Sequence, residues 1–231
     1  MQTRMRERLA GRAGGASMIG AQGAYIVASS DPSAGADSFR TIATQQDLLN
    51  YPAYHYTDNI FGGAIWDMVT FNNRLYITVV TGTANNKQSF ALFRGEEGAD
   101  GKWTYTPLVG DPADGARYEY GFGATRSGAA NMVVYKNHLY LGGYNDPMNA
   151  LEKAMQMDFS DLYKDLESPV NLWRMDVDED GNENFEMLAG EANNKYFGDS
   201  KGTIDGNTML SGLGDSDEQS RHLNQYVWRM Q

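Results

Sequence analysis

The chain has 231 residues, with 30 acidic and 19 basic side chains, a net charge of −11 and no cysteine. This charge argues against a nucleic-acid partner, because binding to phosphates needs a basic surface that releases counterions. No run of 18 apolar residues predicts insertion into a membrane, and the absence of cysteine excludes disulfides and thiolate metal sites. The 26 glycines and 14 tyrosines favour strands joined by tight turns.

The first residues form a basic arm, in which Arg4, Arg6, Arg8 and Arg12 face one acid, Glu7. Three of these arginines recur at intervals of four, which fits a short amphipathic helix as well as a loose terminus. No apolar stretch follows the charges, so we expect no signal peptide here.

One hairpin pattern occurs twice, as MVTFNNRLYITVVTG at 68–82 and as MVVYKNHLYLGGYND at 132–146. Each copy alternates apolar and polar residues, breaks at a two-residue polar turn and resumes as LYI or LYL. A second strand pair with an acidic, glycine-containing turn follows each copy, at 89–111 and 171–191. Each unit is therefore predicted to contain four antiparallel strands.

Weaker signals flank these two units. MIGAQGAYIVASS at 18–30 imitates the hairpin, and FRTIATQQDLL at 39–49 supplies a further strand. YVWRMQ at 226–231 resembles AIWDMV at 64–69, with Trp228 matching Trp66. Within the second unit, apolar residues at helical spacing between Pro147 and Pro169 predict one broken α-helix or two short ones.

Such four-stranded units with glycine-rich connections resemble the blades of kelch-like and integrin-type β-propellers, and the chain looks similar to bacterial propeller proteins. The resemblance implies an all-β fold, with four-stranded antiparallel blades of a partial β-propeller and one α-helical insertion. The predicted parts are a basic arm at 1–15 and a propeller segment at 16–231, with a weak blade at 16–50, blades at 64–111 and 128–191, a helical insertion at 147–169 and the start of a next blade at 225–231. A self-sufficient β-sandwich is the alternative.

Propellers close with about four to eight blades. This chain has fewer, since it contains two clear blades, one weak blade and the start of a next blade. We therefore expect further blades from a longer protein or from homo-oligomerisation.

The acidic stretch DVDEDGNEN at 176–184 is the strongest chemical signal. An EF-hand needs a closing Glu at position twelve and flanking helices, whereas this stretch has Met187 there and strand-like flanks. The resemblance to integrin-type propellers implies instead a calcium loop in the hairpin, with ligands from Asp176, Asp178, Asp180, the main chain of Asn182 and Asn184. Asn184 stands where that family has Asp, which weakens binding. A solvated turn is the alternative.

Residues at the blade entries form a second candidate site. In a propeller these positions lie beside the central channel, and here they are Trp66, Asp67, Arg126, Trp228 and Arg229. Indole rings and guanidinium groups suit a polar ligand such as a sugar. The alternative is a set of ion pairs that lock neighbouring blades together. We identify no catalytic residues, because the sequence has no zinc-spaced histidines, nucleophile elbow or phosphate loop.

The sequence thus predicts a non-catalytic binding or surface-display module for a carbohydrate or protein ligand, stabilised by calcium. The alternatives are a glycan-processing lyase or hydrolase with its site in the funnel, and a structural self-assembling repeat protein. The compartment stays open, with an extracellular or cell-surface location favoured. The fold alone does not choose among these functions.

Overall fold

The computed structural model describes residues 10–11, 25–44, 47–48, 64–80, 89–124, 127–145, 154–157, 159, 171–190, 194–198 and 230. Within these ranges the protein is all-β, and its strands form three sheets that are antiparallel except for one short parallel pair. None of the helices in the described part is long and apolar enough to cross a membrane.

The strands follow the chain from sheet to sheet. The N-terminal sheet contains β1 (Ala10–Gly11), β2 (Tyr25–Ala28) and β3 (Arg40–Thr44), in that order. The central sheet contains β4 (Ala64–Phe71), β5 (Arg74–Val80), β6 (Ala91–Glu97), β7 (Trp103–Gly110) and β8 (Tyr118–Glu119) in sequential order. The C-terminal sheet contains β9 (Ser127–Tyr135), β10 (His138–Asn145), β11 (Leu172–Val177) and β12 (Glu183–Ala189), also in sequential order. Short 3-10 helices span Pro32–Ala34, Ala36–Ser38, Pro112–Asp114 and Tyr120–Gly123.

The two hairpin turns have the geometry that the sequence predicted. Asn72 and Asn73 connect β4 to β5 with φ of 48° and 59°, and Lys136 and Asn137 connect β9 to β10 with φ of 47° and 62°. Two successive residues with positive φ define the type I′ turn, whose twist matches that of a two-residue hairpin. Asparagine tolerates this region better than most residues, which explains its place in both turns.

The central sheet is buried on both faces. In β5, Leu75, Ile77 and Val79 belong to an apolar cluster shared with the N-terminal sheet. Tyr76, which alternates with them, belongs to a second cluster shared with the C-terminal sheet. Because successive side chains of a strand point to opposite faces, one strand serves both clusters. The described sheets therefore pack face to face in three layers, not in the two layers of a β-sandwich, and they form no closed ring.

The predicted helical insertion at 147–169 is not supported. Of that segment the structure describes 154–157 and 159, in which Ala154 and Met155 have α-helical geometry. The side chains of Met155 and Met157 are 86% and 79% exposed, so they bury no apolar stripe against a sheet. The rest of the insertion lies outside the described residues.

The two ends of the chain are described only in part. In the predicted basic arm, Ala10 and Gly11 pair with Val27 and Ile26 as a short edge strand. Of the segment predicted to begin a next blade, the described part contains Met230, which is half-buried. The division of the chain into an arm and successive blades stays a prediction.

Candidate functional site at the junction of two sheets

A buried carboxylate marks the junction of the central and C-terminal sheets. Glu183 is the first residue of β12 and only 5% exposed. Its Oε1 accepts hydrogen bonds from Arg74 Nη1 at 2.9 Å and from the Tyr76 hydroxyl at 3.0 Å. Arg94 Nη1 lies 3.0 Å from its Oε2. Both oxygens of this acid are therefore bound by residues of the neighbouring sheet.

A second acid completes the cluster. Glu96 Oε1 lies 3.0 Å from Arg74 Nε, and its Oε2 lies 3.0 Å from Arg94 Nε. Two guanidinium groups and two carboxylates thus balance one another in formal charge. A buried charge is tolerated when it is paired and hydrogen-bonded, and is costly when it is left alone. We call Arg74, Tyr76, Arg94 and Glu96 the receptor quartet, because together they receive Glu183.

Strand alternation and register place the receptor quartet on one face. Arg74 and Tyr76 are two residues apart on β5, and Arg94 and Glu96 are two residues apart on β6. The register pairs Tyr76 directly with Arg94. Residues two apart share a face of a strand, and directly opposed residues are close neighbours. The four side chains therefore form one patch that faces the C-terminal sheet.

Burial changes the acidity of Tyr76. Removal from water, together with the nearby Glu183 carboxylate, raises the pKa of the Tyr76 hydroxyl well above 10.0. The hydroxyl therefore stays protonated and remains a hydrogen-bond donor throughout the physiological range.

The acidic loop between β11 and β12 contacts the central sheet as well. The carbonyl of Gly181 accepts a hydrogen bond from Arg74 Nη1 at 2.6 Å. Gly181 has φ of 83°, and a Cβ built there would lie 3.1 Å from Arg74 Nη2. The positive φ therefore favours glycine, and the arginine leaves little room for a side chain. The loop therefore places the Gly181 carbonyl and the Glu183 carboxylate beside the same guanidinium group, that of Arg74.

Within the loop, Asp178 organises a hydrogen-bonded turn. The Asp178 carboxylate accepts from the backbone N–H of Asn182 at 2.8 Å and from Asn184 Nδ2 at 3.1 Å. These hydrogen bonds, the backbone one first, lower the pKa of Asp178. The Asn182 carbonyl, expected as a calcium ligand, accepts the N–H of Asp178 at 3.0 Å.

The five residues predicted to bind calcium do not converge in this arrangement. Asp176 is paired with His138 and lies 3.8 Å from Arg174 Nε, while Asp178 is bound by the two amides and Asp180 is exposed. No group of three or more His, Cys, Asp or Glu in the described part of the chain could hold a metal ion. The geometry fits the turn better than the cation loop, and calcium binding stays a prediction.

Of the five blade-entry candidates, the structure describes Trp66 and Asp67. Asp67 Oδ1 accepts the N–H of Met68 at 2.8 Å, and Oδ2 accepts the N–H of Met132 on β9 at 2.7 Å. Burial raises the pKa of Asp67. Trp66 Nε1 donates to Asn131 Oδ1 at 3.0 Å, and its side chain is 38% exposed. These contacts join β4 to β9, whereas Arg126, Trp228 and Arg229 lie outside the described residues.

Several residues of the junction were not singled out from the sequence. They are Glu183, Tyr76, Arg94 and Arg117, whose Nη1 donates to the Glu183 carbonyl at 2.9 Å. One signal was available. An arginine interrupts an otherwise apolar strand at the same place in both units, as Arg94 in ALFRGEE and Arg174 in LWRMDV. A charge repeated at a strand-interior position indicates a paired role inside the fold.

Comparison with known proteins adds little. No protein-family model and no curated protein matches the chain. Among solved structures, an alpha-L-arabinofuranosidase (CtGH43) from Clostridium thermocellum ATCC 27405 is 12% identical, with 71% of this chain and 64% of that chain covered and a TM-score of 0.26. The chain thus spans less than two thirds of that enzyme. A TM-score this low does not establish a shared fold, so neither fold nor function rests on it.

Proposed function

We propose that the chain is a non-catalytic binding or display module, built as part of a β-propeller from successive four-stranded sheets. Carbohydrate or protein ligands are the partners it suits, with the remaining sheets supplied by a longer protein or by association of copies. An extracellular or cell-surface location agrees with this role.

One observation carries the proposal. The charged side chains at the junction of the two larger sheets are bound to one another or to the main chain, as Glu183 is by Arg74 and Arg94. A glycosidase of the usual kind needs a pair of carboxyl groups that flank the scissile bond, with one of them free to donate a proton. Glu183 is instead held between two guanidinium groups and serves to fasten sheet to sheet.

Asp67 on β4 supports the same conclusion, because it too joins one sheet to the next. Each of its oxygens accepts a backbone N–H, one from its own strand and one from β9. Thr78 Oγ1 adds a hydrogen bond to the Ala130 carbonyl at 2.7 Å. These polar groups connect the sheets. Trp66 and Asp67 are the two described blade-entry residues. Of these, Trp66 has a partly exposed ring that suits stacking on a ligand such as a sugar.

A glycan array followed by calorimetry tests the binding function. We expect saturable binding without turnover, and we expect Trp66→Ala to weaken it at least tenfold. Because Trp66 also joins β4 to β9 through Asn131, circular dichroism must first show that this variant folds. Trp66→Phe is the matched variant, because it keeps a ring for stacking but loses the N–H to Asn131 and part of the ring area.

Two results would contradict the proposal. Hydrolysis or elimination of a bound glycan would show an enzyme. Failure to bind any glycan or protein, combined with ordered oligomers in light scattering, would favour a structural self-assembling protein.

A further inference from the structure

Two methionines are exposed in the segment between β10 and β11. Met155 is 86% exposed and Met157 is 79% exposed. The N–H of Met157 donates to the Ala154 carbonyl at 3.0 Å, and Met157 has φ of 64°. One backbone turn therefore carries both side chains into solvent.

The other methionines in the described part of the chain are less accessible. Met132, Met175 and Met187 are 8%, 0% and 1% exposed, and they belong to the apolar cluster between the central and C-terminal sheets. Met68 and Met230 are half-buried. Exposure thus separates one pair of methionines in solvent from a set that is buried or half-buried.

The chemistry of the thioether gives this separation a consequence. A hydroperoxide oxidises methionine to the sulfoxide, which turns a flexible apolar side chain into a polar one. The sulfur lone pair attacks one peroxide oxygen, so that an S–O bond forms and the O–O bond breaks. The proton of the attacked oxygen moves to the leaving oxygen, which departs as water or an alcohol. Sulfur loses two electrons and the peroxide gains them, and the reaction requires free access to the sulfur.

The same change would be damaging in the core. A Cβ built at Gly190 would lie 2.6 Å from the sulfur of Met187, so the sulfur has little room for an added oxygen on that side. A polar oxygen placed there would also lose its contact with water. Oxidation of Met175 and Met187 therefore has to wait for a local opening of the packed sheets, which few molecules undergo at any moment.

We propose that Met155 and Met157 form an oxidation site, which reacts with hydroperoxides ahead of the core methionines and leaves the fold intact. Their side chains are already in contact with water, so a sulfoxide there disturbs no core packing. The pair consumes oxidant at little cost to stability. The inference goes beyond the proposed binding function and does not depend on it.

A time course with hydrogen peroxide on the full chain tests the site. Samples are quenched at intervals, and peptide mass spectrometry follows the sulfoxide at each methionine. We expect Met155 and Met157 to oxidise first, at least about tenfold faster than Met175 and Met187, because a buried sulfur reacts only in molecules that have opened locally. Once the pair alone is oxidised, the melting temperature should fall by less than about 3 °C, as for an ordinary surface change.

Matched variants assign the fast phase of the reaction to this pair. The double variant Met155→Leu/Met157→Leu keeps two apolar side chains but has no sulfur there, so its fast phase should take up one oxygen atom fewer for each thioether removed. Met175→Leu is the control, because it removes a core sulfur and should leave the fast phase unchanged. Circular dichroism shows whether each variant folds. The comparison of methionines within the unchanged chain decides the matter if a variant does not fold.

Three outcomes would overturn the inference. The first is oxidation of Met175 or Met187 as fast as that of Met155 and Met157. The second is a larger fall in the melting temperature when the pair alone is oxidised, and the third is an unchanged fast phase in the double variant. None of these results depends on whether the chain binds glycans.

Discussion

The hydroxyl of Tyr76 donates to Glu183 at 3.0 Å, across 107 residues of sequence and from one sheet to the next. The bond ends on a carboxylate oxygen that also accepts from Arg74. One buried acid thereby holds side chains from two strands of the central sheet. The junction is stable only while its charges stay matched, and this gives the following predictions.

Replacing Glu183 with Gln should lower the free energy of unfolding by about 3 kcal/mol, because Arg74 and Arg94 would keep two positive charges at the junction with Glu96 as their one remaining acid. Urea unfolding followed by fluorescence measures the change. Lys102→Ala, at an exposed ion pair with Asp100, is the control and should cost less than about 0.5 kcal/mol. A loss equally small for Glu183→Gln would mean that the cluster does not fasten the sheets.

Replacing Tyr76 with Phe should cost about 2 kcal/mol, since it removes a hydrogen bond to a charged group and leaves the ring in the core. In the double variant with Glu183→Gln, the loss of unfolding free energy should be about 1 kcal/mol smaller than the sum of the two single losses. This double-mutant cycle isolates the contact itself. Fully additive losses would show that the two side chains do not interact.

Asp67 should make stability depend on pH. Burial raises its pKa above 3.8, so the folded chain holds this proton more tightly than the unfolded chain does. Stability therefore falls as the pH rises from 3.8 through the raised pKa, and levels off above it. The variant Asp67→Asn has no carboxyl group to ionise, so its stability lacks this contribution. As the pH rises through this window, the difference in unfolding free energy between the two proteins should shift in favour of the variant. A difference independent of pH would contradict the assignment.

Replacing Gly181 with Ala should cost about 1–2 kcal/mol, from the positive φ and from the approach of the Arg74 guanidinium. Gly115→Ala is a matched control, because Gly115 has φ of 91° and nothing within 4 Å of its Cβ position. The excess loss at Gly181, measured by thermal unfolding, reports the contact with Arg74. Equal losses at both positions would mean that the arginine moves aside freely.

Calcium binding at the acidic loop, as the sequence predicts, should raise the melting temperature of the EDTA-treated chain, because a ligand that binds only the folded chain stabilises it. If Asp178 serves only the turn that its amide hydrogen bonds form, the melting temperature should stay unchanged. Differential scanning calorimetry with and without calcium makes the comparison, with magnesium as the control ion. A rise with calcium that Asp178→Ala abolishes would establish the cation loop that the sequence predicted.

Local patterns in the sequence determined the strands and the turns. Alternation of apolar residues and the polar pairs Asn72-Asn73 and Lys136-Asn137 specify two hairpins, since strand faces and type I′ turns depend on neighbouring residues only. The helical spacing at 147–169 predicts a helix whose stability depends on packing, which local spacing does not specify. An apolar stripe makes a stable helix only when a surface covers it, and of the described residues Met155 and Met157 are exposed.

Only the tertiary structure decided what the charged residues do. Glu183 belongs to an acidic stretch that reads like a cation loop, yet it lies inside the junction because β12 places it against Arg74, Tyr76 and Arg94. Those partners are about a hundred residues away, and no local spacing encodes which acid meets which arginine. The sequence by itself determined the repeating strands; the packing of one repeat on the next determined which charges are neutralised.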